Sequence, residues 1–495
     1  MTTGFDHSYA RLGAAFSTSQ PPDPVSSPQL LLWNGALADA IGWSGNPQSD
    51  PEHLMALAGN QSLPSAQPIA TVYAGHQFGQ YNPQLGDGRA TLLGEWITPT
   101  GGRFDIQLKG AGPTAYSRGG DGRSPIGPVI REYLVSEAMH ALGVPTTRAL
   151  AAVGTGEPVI RNRIEPGAVL TRVASSHLRV GTVQYFAMTR GGDDLATLVD
   201  YVVDRHFTHP PSGSENPTSE SPAAMLLDGV CEGFAKLVAH WQVLGFVHGV
   251  LNTDNALLCG ETIDYGPCAF MDHFDPQACF SSIDRQGRYA WPNQPGIMHW
   301  NLAVLAECLL TLIDDDNETA QQLAQAIVDR YPRRFHENHQ RQLAAKLGLD
   351  DVTEADSGLI QAFHELMASE NLDFTLAFRW LTEVANQTLE HSPLPEIFTA
   401  PPALTAWAET WQARRKANVG DTNAITSAMC TANPTVIPRN HLVQRAIDLA
   451  EAGDMAWVRA MVKRSQSPFG WQTDDLEWAK PPEPEERVTR TFCGT

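Results

Sequence analysis

Residues 248–266 constrain the fold of this 495-residue chain more than any other segment. They begin with His-Gly-Val-Leu-Asn-Thr-Asp-Asn, which ends at Asn255, and close with an Asp-Tyr-Gly turn at Asp264. A periodic apolar pattern over Leu226–Leu244 precedes them and predicts a long helix. Two short apolar runs between Asn255 and Asp264 predict a β-hairpin that carries those two side chains at its ends. The unit is therefore a helix, a polar loop and a hairpin.

An asparagine and an aspartate at this spacing are typical of kinase-like enzymes, where they hold magnesium on the phosphates of a nucleotide. Magnesium is a hard cation that prefers oxygen ligands, and rigid positioning supplies much of the rate of group transfer. Each residue alone has an ordinary explanation, because Asp-Tyr-Gly is a common turn, Asn255 a common cap and His248 a common core residue. Together they predict a nucleotide site with Asn255 and Asp264 as metal ligands.

Position 250 departs from the kinase pattern. In conventional kinases an aspartate base follows the histidine by two residues, and that position is Val250 here. Asp254 is the nearest replacement, although it lies beside Asn255. The sequence therefore leaves three alternatives open: a non-catalytic ATP-binding scaffold, a conventional kinase for the γ-phosphate, and an enzyme that uses the triphosphate differently.

The distribution of periodicities predicts an α+β fold with the two-lobe plan of a protein kinase. Alternating apolar residues over 90–96 and 103–108 predict strands, and we expect further strands to about Met188. Residues 208–224 are rich in Ser, Pro and Glu and predict a mobile insertion. The predicted parts are a β-rich nucleotide-binding lobe over 1–188, a helical lobe with the catalytic loop over 189–480, and a C-terminal tail over 481–495.

Several charged residues in the first part are candidates for phosphate binding. Lys109 ends the second predicted strand, where its ammonium can reach a cleft. The next predicted helix, 127–142, carries two candidate partners for it, Glu132 and Glu137, whose side chains point apart. Arginines at 172 and 179 share one face if that segment is helical, and arginine forks suit phosphate oxygens.

The formal net charge of −21 argues against a protein that wraps DNA or RNA, because such binding requires a basic face. It also argues against a polybasic membrane anchor, while a few local Arg and Lys residues suffice for one nucleotide. The first residues lack the apolar core of a signal peptide. The best candidate for a membrane span, 302–313, is short and contains Glu307. We therefore expect a cytoplasmic protein without nucleic-acid or membrane partners.

Seven cysteines are scattered along the chain and none forms a Cys-x-x-Cys pair, so we do not expect a zinc site. Most of them are predicted to be small core residues. Cys493 differs, because it is third from the end and follows a polar tail where burial has no evident reason.

Longer motifs give the chain a specific resemblance. They are Tyr73-Ala-Gly-His-Gln-Phe-Gly79, Leu85-Gly-Asp-Gly-Arg89, Gln107-Leu-Lys-Gly110, Tyr116-Ser-Arg-Gly-Gly-Asp-Gly-Arg123, Ile130-Arg-Glu-Tyr133 and residues 248–266. Through these motifs, and through shorter matches as far as Pro438-Arg-Asn440, nearly the whole chain resembles the selenoprotein O family. The resemblance implies a kinase fold that binds ATP in a flipped pose and transfers AMP to Ser, Thr or Tyr hydroxyls of proteins.

The resemblance also implies roles for individual residues. Lys109 holds phosphates and pairs with Glu132. Asp254 accepts the proton of the acceptor hydroxyl, and an ordinary carboxylate pKa would leave it ionised at pH 7. Asn255 and Asp264 bind Mg²⁺, with Mn²⁺ as the alternative, and UMP transfer favoured by manganese stays open as a variant. The implied nucleotide contacts are Gly86, Gly88, Arg89, Lys109, Asp121, Gly122, Arg172, Arg179 and Asp264.

By the same resemblance, Cys493 stands where many relatives carry a selenocysteine, so selenium chemistry is not expected. Cys279 lies shortly after Asp264, where kinases carry their activation loop. Our hypothesis is a regulatory disulfide between Cys279 and Cys493, because a disulfide in the cytosol acts more often as a switch than as a staple. The alternative is a free tail thiol. The target proteins and the oligomeric state are not predicted.

Overall fold

The computed structural model describes residues 3–208, 221–473 and 475–492. Strands β1 to β12 span Gly4–Asp6, Ser17–Ser19, Gln29–Trp33, Ile69–Thr71, Gly75–Gln77, Gln80–Asn82, Ala90–Ile97, Arg103–Lys109, Arg148–Ile160, Ile164–Ala174, Phe246–Val247 and Ala269–Phe270. Helices α1 to α16 span Gly35–Ala40, Pro51–Leu57, Ile126–Ala141, Val180–Thr189, Gly192–His206, Pro222–Leu244, Gln294–Ile313, Asn317–Val328, Tyr331–Leu347, Ser357–Ser369, Phe374–Asn386, Pro402–Lys416, Thr422–Ala432, Asn440–Glu451, Ala456–Ser465 and Asp475–Ala479. Strands dominate the first third and helices the rest, so the predicted α+β class is confirmed.

One antiparallel sheet organises the strand-rich part. Its strand order is β2, β4, β7, β8, β10, β9 and β3, and β1 also pairs with β7. Alternating apolar side chains such as Ile106 and Leu108 are fully buried in β8, which is the pattern of a strand that packs one face on a core. The strands β7, β8 and β10 lie side by side, and side chains near their ends reach the candidate site.

The register of these central strands brings two cations to the same end of the sheet. Lys109, the last residue of β8, pairs with Ala90 at the start of β7 and with Leu170 on β10. Arg172 on β10 lies opposite Gln107 on β8. Residues two positions apart along a strand point to the same face, so the antiparallel register places Lys109 and Arg172 within reach of common partners.

The structure differs from one prediction for residues 172–189 and answers one open question. Arg172 lies on β10 and Arg179 directly precedes α4, so the segment that joins them is not helical and the two arginines do not share a helix face. The strands predicted to about Met188 end earlier, because α4 begins at Val180. The first turn of α4 is closed by the Thr182 hydroxyl, which accepts a hydrogen bond from the N–H of Arg179 at 3.1 Å.

The long helix predicted before the polar loop is α6, and its ends follow from local chemistry. The Ser221 hydroxyl accepts a hydrogen bond from the N–H of Ala224 at 3.2 Å, and Pro222 occupies the first turn. Gly245, with φ of 67°, ends the helix in the left-handed region. Of the predicted mobile insertion, residues 209–220 lie outside the described residues, while residues 222–224 belong to α6.

The hairpin predicted between Asn255 and Asp264 does not form in this described segment. Leu257 makes its β-bridge with Arg179, and Thr262 makes one with Thr146. Each apolar run therefore satisfies its backbone groups against a different part of the chain. Tertiary pairing, rather than a local hairpin, brings the two ends of the segment to the site.

Helix α3 is enclosed from both sides. It lies against β9 and β10, and the late helices α14 and α15 pack against it from elsewhere in the chain. Val129, Ile130 and Leu134 on α3 share one buried cluster with Val443 of α14 and Val458 of α15. This packing fixes the helix rigidly beside the sheet.

Helix α7 is more apolar than the sequence analysis predicted. Together with the turn before it, it spans Trp291–Ile313, and among the described helices it is the one long and apolar enough to cross a membrane by length and composition. In the structure it packs against α4, α6 and α8. Leu302, Leu305 and Leu309 belong to the largest hydrophobic cluster of the described residues, which is the packing of a core helix.

Candidate active site

The ends of the central strands, helix α3 and the polar loop enclose a cavity of about 680 Å³. Every residue proposed above as a nucleotide, metal or proton contact lines it. These residues are Gly86, Gly88, Arg89, Lys109, Asp121, Gly122, Glu132, Arg172, Arg179, Asp254, Asn255 and Asp264. Motifs that are far apart in the sequence therefore meet at one site.

A cluster of ion pairs lies at the back of the cavity. The Nζ of Lys109 donates to Glu132 Oε2 at 2.7 Å and to Asp264 Oδ1 at 2.8 Å. The guanidinium of Arg172 also donates to both carboxylates. Glu132, Lys109 and Arg172 are largely removed from solvent, while a quarter of the Asp264 side chain stays exposed. Two cations thus share two carboxylates.

Desolvation alone would raise the pKa of Asp264. The charges of Arg172, Lys109 and Arg179 outweigh that cost and hold the pKa well below its usual value. For Glu132, burial likewise acts to raise the pKa, and Arg172 and Lys109 lower it. Both carboxylates are therefore ionised at neutral pH.

The two glutamates of α3 have separate partners. Glu132 faces the cavity and contacts Lys109 and Arg172. Glu137 accepts two hydrogen bonds from the guanidinium of Arg148, at 2.8 and 2.7 Å, and one from Asn34 at 2.6 Å. Its role is thus to tie α3 to β9 and to the start of α1, away from the cavity.

Arg179 connects the candidate metal ligand Asp264 to the polar loop, residues 248–255. Its Nη1 donates to the backbone carbonyl of Asp254 at 2.7 Å and lies 3.4 Å from Asp264 Oδ2. The guanidinium stacks over the ring of Tyr73, 4.5 Å from its centroid. Asp87 lies 4.0 Å from the same guanidinium. Tyr73 and Asp87 have no role in the sequence analysis, although both lie within quoted motifs.

The carboxylate of Asp254 is buried, with 8% of the residue exposed. Its Oδ2 accepts a hydrogen bond from Gln77 Nε2 at 3.1 Å, and its Oδ1 has no hydrogen-bond partner among the described residues. Burial raises the pKa of Asp254 to about 6, although Arg179 and Gln77 act to lower it. The pKa of Asp254 therefore lies above that of an ordinary carboxylate, because the group is desolvated. Asp254 is still mostly ionised at pH 7.

Val250 also lines the cavity, at the position where conventional kinases carry their aspartate base. It is buried, and its carbonyl accepts a hydrogen bond from Asn255 Nδ2 at 2.9 Å. His248 lies in the core and donates from Nε2 to the carbonyl of Ile263 at 2.8 Å. The loop is thus internally braced, and Asp254 is the residue of its sequence that brings a carboxylate to the cavity.

Two glycines that line the cavity, Gly86 and Gly122, allow neighbouring residues to approach closely. Gly86 has φ of 69°, and a Cβ there would lie 2.4 Å from the Tyr116 ring. Gly122 has φ of 64°, and a Cβ there would lie 2.1 Å from Gly112. Larger residues at either position would be strained and would push the rim apart.

Asp121, a predicted nucleotide contact, is held by an arginine that the sequence analysis did not single out. Arg161 donates two hydrogen bonds to the Asp121 carboxylate, at 2.8 and 2.9 Å. The bond from Arg161 lowers the pKa of Asp121. Both residues line the cavity, so the ion pair forms part of its wall.

The cavity carries the opposite charge to the chain as a whole. Among the described residues that line it, seven are basic and five are acidic, while the net charge of the chain is −21. The basic residues are Arg89, Lys109, Arg118, Arg123, Arg161, Arg172 and Arg179. A locally positive cleft in an acidic protein attracts a polyanion to that one place.

Comparison with known proteins agrees with this geometry. The profile of a family described as "Protein adenylyltransferase SelO" matches residues 1–466. A "Protein nucleotidyltransferase YdiU" of Rhizobium rhizogenes is 48% identical over 492 residues, which cover 99% of this chain and 97% of the relative. Relatives with the same description in Rhodopseudomonas palustris and Alkaliphilus metalliredigens are 48% and 47% identical, with at least 97% of each covered.

The chain belongs to this SelO family. The resemblance stated from the motifs is confirmed, and so is the class of enzyme that it implied, a protein nucleotidyltransferase. The match extends over nearly the full length of this chain and of each relative. It therefore covers the strand-rich part, the catalytic loop and the helical part together.

The donor chemistry of this SelO-family site fits a magnesium-like ion. Asn255 and Asp264 both line the cavity and offer an amide and a carboxylate oxygen. Because Asn255 Nδ2 donates to the Val250 carbonyl, the amide oxygen is the atom of this side chain that would bind a metal. The described residues contain no cluster of three or more His, Cys, Asp or Glu side chains suited to a metal. Magnesium that is bound with nucleotide phosphates needs one or two protein ligands and takes the others from phosphate and water.

Cys279 lies on the segment that the C-terminal tail touches. Thr491 forms a parallel bridge with Ser281, and its N–H donates to the carbonyl of Phe280 at 2.8 Å. Burial, with Asp284 nearby, raises the pKa of the Cys279 thiol to about 11. Cys493 lies outside the described residues, so the predicted disulfide is not tested by the geometry.

Proposed function

We propose that this protein binds ATP in the cavity and transfers AMP to Ser, Thr or Tyr hydroxyls of other proteins. The observation that carries the proposal is that Lys109, Asn255 and Asp264 line one cavity with a valine at position 250. Lys109, Asn255 and Asp264 would suit any kinase-like enzyme, but the buried carboxylate is at Asp254 instead. A carboxylate at Asp254 and none at position 250 supports the proposal that a different phosphate of ATP reacts.

In this reaction the acceptor hydroxyl oxygen attacks the α-phosphorus of ATP. A new phosphorus–oxygen bond forms, the bond from the α-phosphorus to the bridging oxygen breaks, and pyrophosphate leaves. The hydroxyl proton passes to Asp254, whose pKa of about 6 makes it a carboxylate at neutral pH. Lys109, Arg172 and Arg179 offset the phosphate charge, and they are already held in place by Glu132 and Asp264.

The reaction is proposed to depend on Mg²⁺, with Mn²⁺ as a substitute, held by Asn255 and Asp264. A bound divalent ion would neutralise phosphate charge and orient the triphosphate. Asp264 now takes part in ion pairs with Lys109, Arg172 and Arg179. A divalent ion held by Asp264 would replace part of these ion pairs, while Glu132 would keep its contacts with Lys109 and Arg172. UMP transfer from UTP uses the same groups and stays an alternative.

Intact-mass measurement of modified protein tests this proposal. The protein is incubated with ATP, Mg²⁺ and a desalted bacterial extract, and modified proteins are mapped by peptide mass. We expect an added mass of one adenylate on Ser, Thr or Tyr, and no added mass with Asp264→Ala. An added mass of one phosphate would contradict the proposal, and so would an equal signal from the variant.

Redox control through the tail is a further part of the proposed function. The tail residue Thr491 lies against residues 280–282, directly after Cys279. Thr491 is two residues before Cys493 in the sequence. A thiol with a pKa near 11 is a poor nucleophile, so Cys493 is the thiol expected to attack first. With oxidised glutathione as the oxidant, we expect a Cys279–Cys493 disulfide after loss of two glutathione molecules.

Peptide mapping without reduction measures that disulfide directly. The matched control is Cys430→Ser, which removes a half-buried thiol on α13. The bridged peptide should persist in the control and disappear in Cys279→Ser. If Cys493 is never bridged to Cys279 in oxidised protein, the redox hypothesis is wrong.

A further inference from the structure

A short hairpin from the strand-rich part lies across the catalytic loop. It consists of β5 and β6, joined at residues 78–79. The N–H of His76 donates to the Thr253 hydroxyl at 2.7 Å, and Gln77 Nε2 donates to Asp254 Oδ2 at 3.1 Å. The motif that contains this hairpin, residues 73–79, is among those that suggested the family, yet the proposed chemistry assigns it no task.

The next residue of the hairpin makes a third contact and fixes its shape. The N–H of Phe78 donates to Asn252 Oδ1 and to the Tyr289 hydroxyl, both at 3.1 Å. Tyr289 in turn donates to Asn252. Phe78 has φ of 52°, a left-handed conformation that a bulky residue adopts only when its surroundings hold it there. Three consecutive hairpin residues thus contact three consecutive loop residues, 252–254.

Gly75, at the start of the hairpin, allows this close contact. A Cβ at Gly75 would lie 2.9 Å from Asp254 Oδ1 and from the Asp254 Cβ. The hairpin backbone therefore covers one edge of the carboxylate without giving it a hydrogen bond. Among the described residues, Gln77 is the side chain that donates to this carboxylate, and it also lines the cavity.

We propose that Gln77 is a positioning residue for AMP transfer, which holds the Asp254 carboxylate in the orientation that receives the acceptor proton. This inference rests on the proposed function of Asp254. A carboxylate at the end of a short side chain turns readily unless a neighbour holds it. Oδ1 is buried against Gly75, so Oδ2, which accepts the Gln77 hydrogen bond, is the oxygen that can receive the proton through its second lone pair. Gln77 supplies that restraint from an element whose backbone is itself anchored to the loop.

Kinetics of two Gln77 variants test the inference. Gln77→Leu removes the donor at similar volume, and Gln77→Glu keeps the shape but replaces the donor with an acceptor. We expect kcat for transfer of α-labelled AMP to a desalted bacterial extract to fall about 10- to 100-fold in both, the range for a misplaced catalytic group. The KM for ATP should stay near the wild-type value, because the Gln77 side chain donates its hydrogen bond to Asp254 and not to a proposed phosphate-binding side chain.

Gln80→Leu is the matched control, since Gln80 is exposed on the same hairpin and does not line the cavity. It should keep wild-type kcat. A double-mutant cycle with Asp254→Asn adds a readout that a merely structural role would not give. If Gln77 acts through Asp254, Gln77→Leu should cause no further loss of residual activity in the Asp254→Asn background.

Three results would overturn the inference: wild-type kcat in both Gln77 variants, an equal loss in Gln80→Leu, or the same fold-loss in the Asp254→Asn background as in wild type. A rise in the KM for ATP with unchanged kcat would also overturn it, because Gln77 would then serve nucleotide binding. If the wild-type protein transfers no AMP, the proposed function fails and this inference fails with it. An active wild type with unaffected variants removes the inference alone.

Discussion

Asp254→Asn is expected to lower kcat for AMP transfer by about 10²- to 10⁴-fold, the usual contribution of a positioned general base. The amide has the shape of the carboxylate and can still accept the Gln77 hydrogen bond, but it cannot take the proton of an acceptor hydroxyl. ATP affinity should change little, because the phosphates are assigned to Lys109, Arg172 and Arg179. The measurement is steady-state transfer of labelled AMP together with ATP binding by calorimetry.

The matched control is Asp200→Asn, which changes an exposed carboxylate on α5. It should leave kcat and ATP affinity unaltered. Because Asp254 is desolvated, Asp254→Asn should also be at least as thermally stable as wild type. An Asp254→Asn protein that keeps kcat within a few-fold would show that another group removes the proton. Loss of ATP binding in that variant would instead assign Asp254 to the nucleotide site.

Lys346→Met is expected to stabilise the protein at pH 7 by about 2–3 kcal/mol. Lys346 on α9 is 2% exposed, and burial lowers its pKa to about 7. Its Nζ donates to the carbonyl of Ala432 at a long 3.4 Å and lies 4.3 Å from the centre of the Phe378 ring. Burial at this pKa costs roughly 4–5 kcal/mol, and the aromatic contact offsets about 2 kcal/mol of it.

The same lysine makes stability depend on pH. Between the folded pKa of about 7 and the unfolded value of 10.5, the unfolded chain binds the proton and the folded protein does not. Below pH 7 the buried ammonium of Lys346 therefore lowers the free energy of unfolding by its full amount. This destabilisation decreases as the pH rises above 7. In denaturant titrations from pH 6 to 9, the free energy of unfolding of the wild type should rise with pH because of Lys346. Lys346→Met should lose this part of the pH dependence.

Lys236→Met is the matched control, because Lys236 on α6 is exposed and pairs with Glu232 one turn away. It should change stability by less than about 0.5 kcal/mol, as surface substitutions do, and leave the pH dependence as in wild type. If Lys346→Met destabilises the protein, or keeps the wild-type pH dependence, then Lys346 is charged and well paired in the folded state.

Elements with a strong local pattern were predictable from the sequence. Helix α6 and strand β8 lie close to their predicted bounds, because Leu226–Leu244 and 103–108 carry clear periodicities. The segment 180–189 was mistaken for strand because its β-branched residues favour strands, while burial against α5 and α7 stabilises a helix there. The prediction of a hairpin between Asn255 and Asp264 was wrong for a related reason. Its two apolar runs pair with distant segments and not with each other.

Only those site residues that belong to a recognisable sequence motif could be predicted. Residue types and spacing indicated Asn255 and Asp264, but no local pattern could choose between Glu132 and Glu137 as the neighbour of Lys109. That choice depends on how α3 packs on β9 and β10. The roles of Tyr73 and Gln77 depend on contacts across more than a hundred residues of sequence. Spacing along one chain carries no information about such contacts.

The most direct test of the account is which phosphate of ATP reaches protein. Paired incubations would use Mg²⁺, a desalted bacterial extract and ATP labelled at either the α or the γ position, with Asp264→Ala as the blank. The account predicts protein-bound label from the α position, none above the blank from the γ position, and none from either with the variant. Label from the γ position alone would contradict it and would make this protein a kinase with an unusual base.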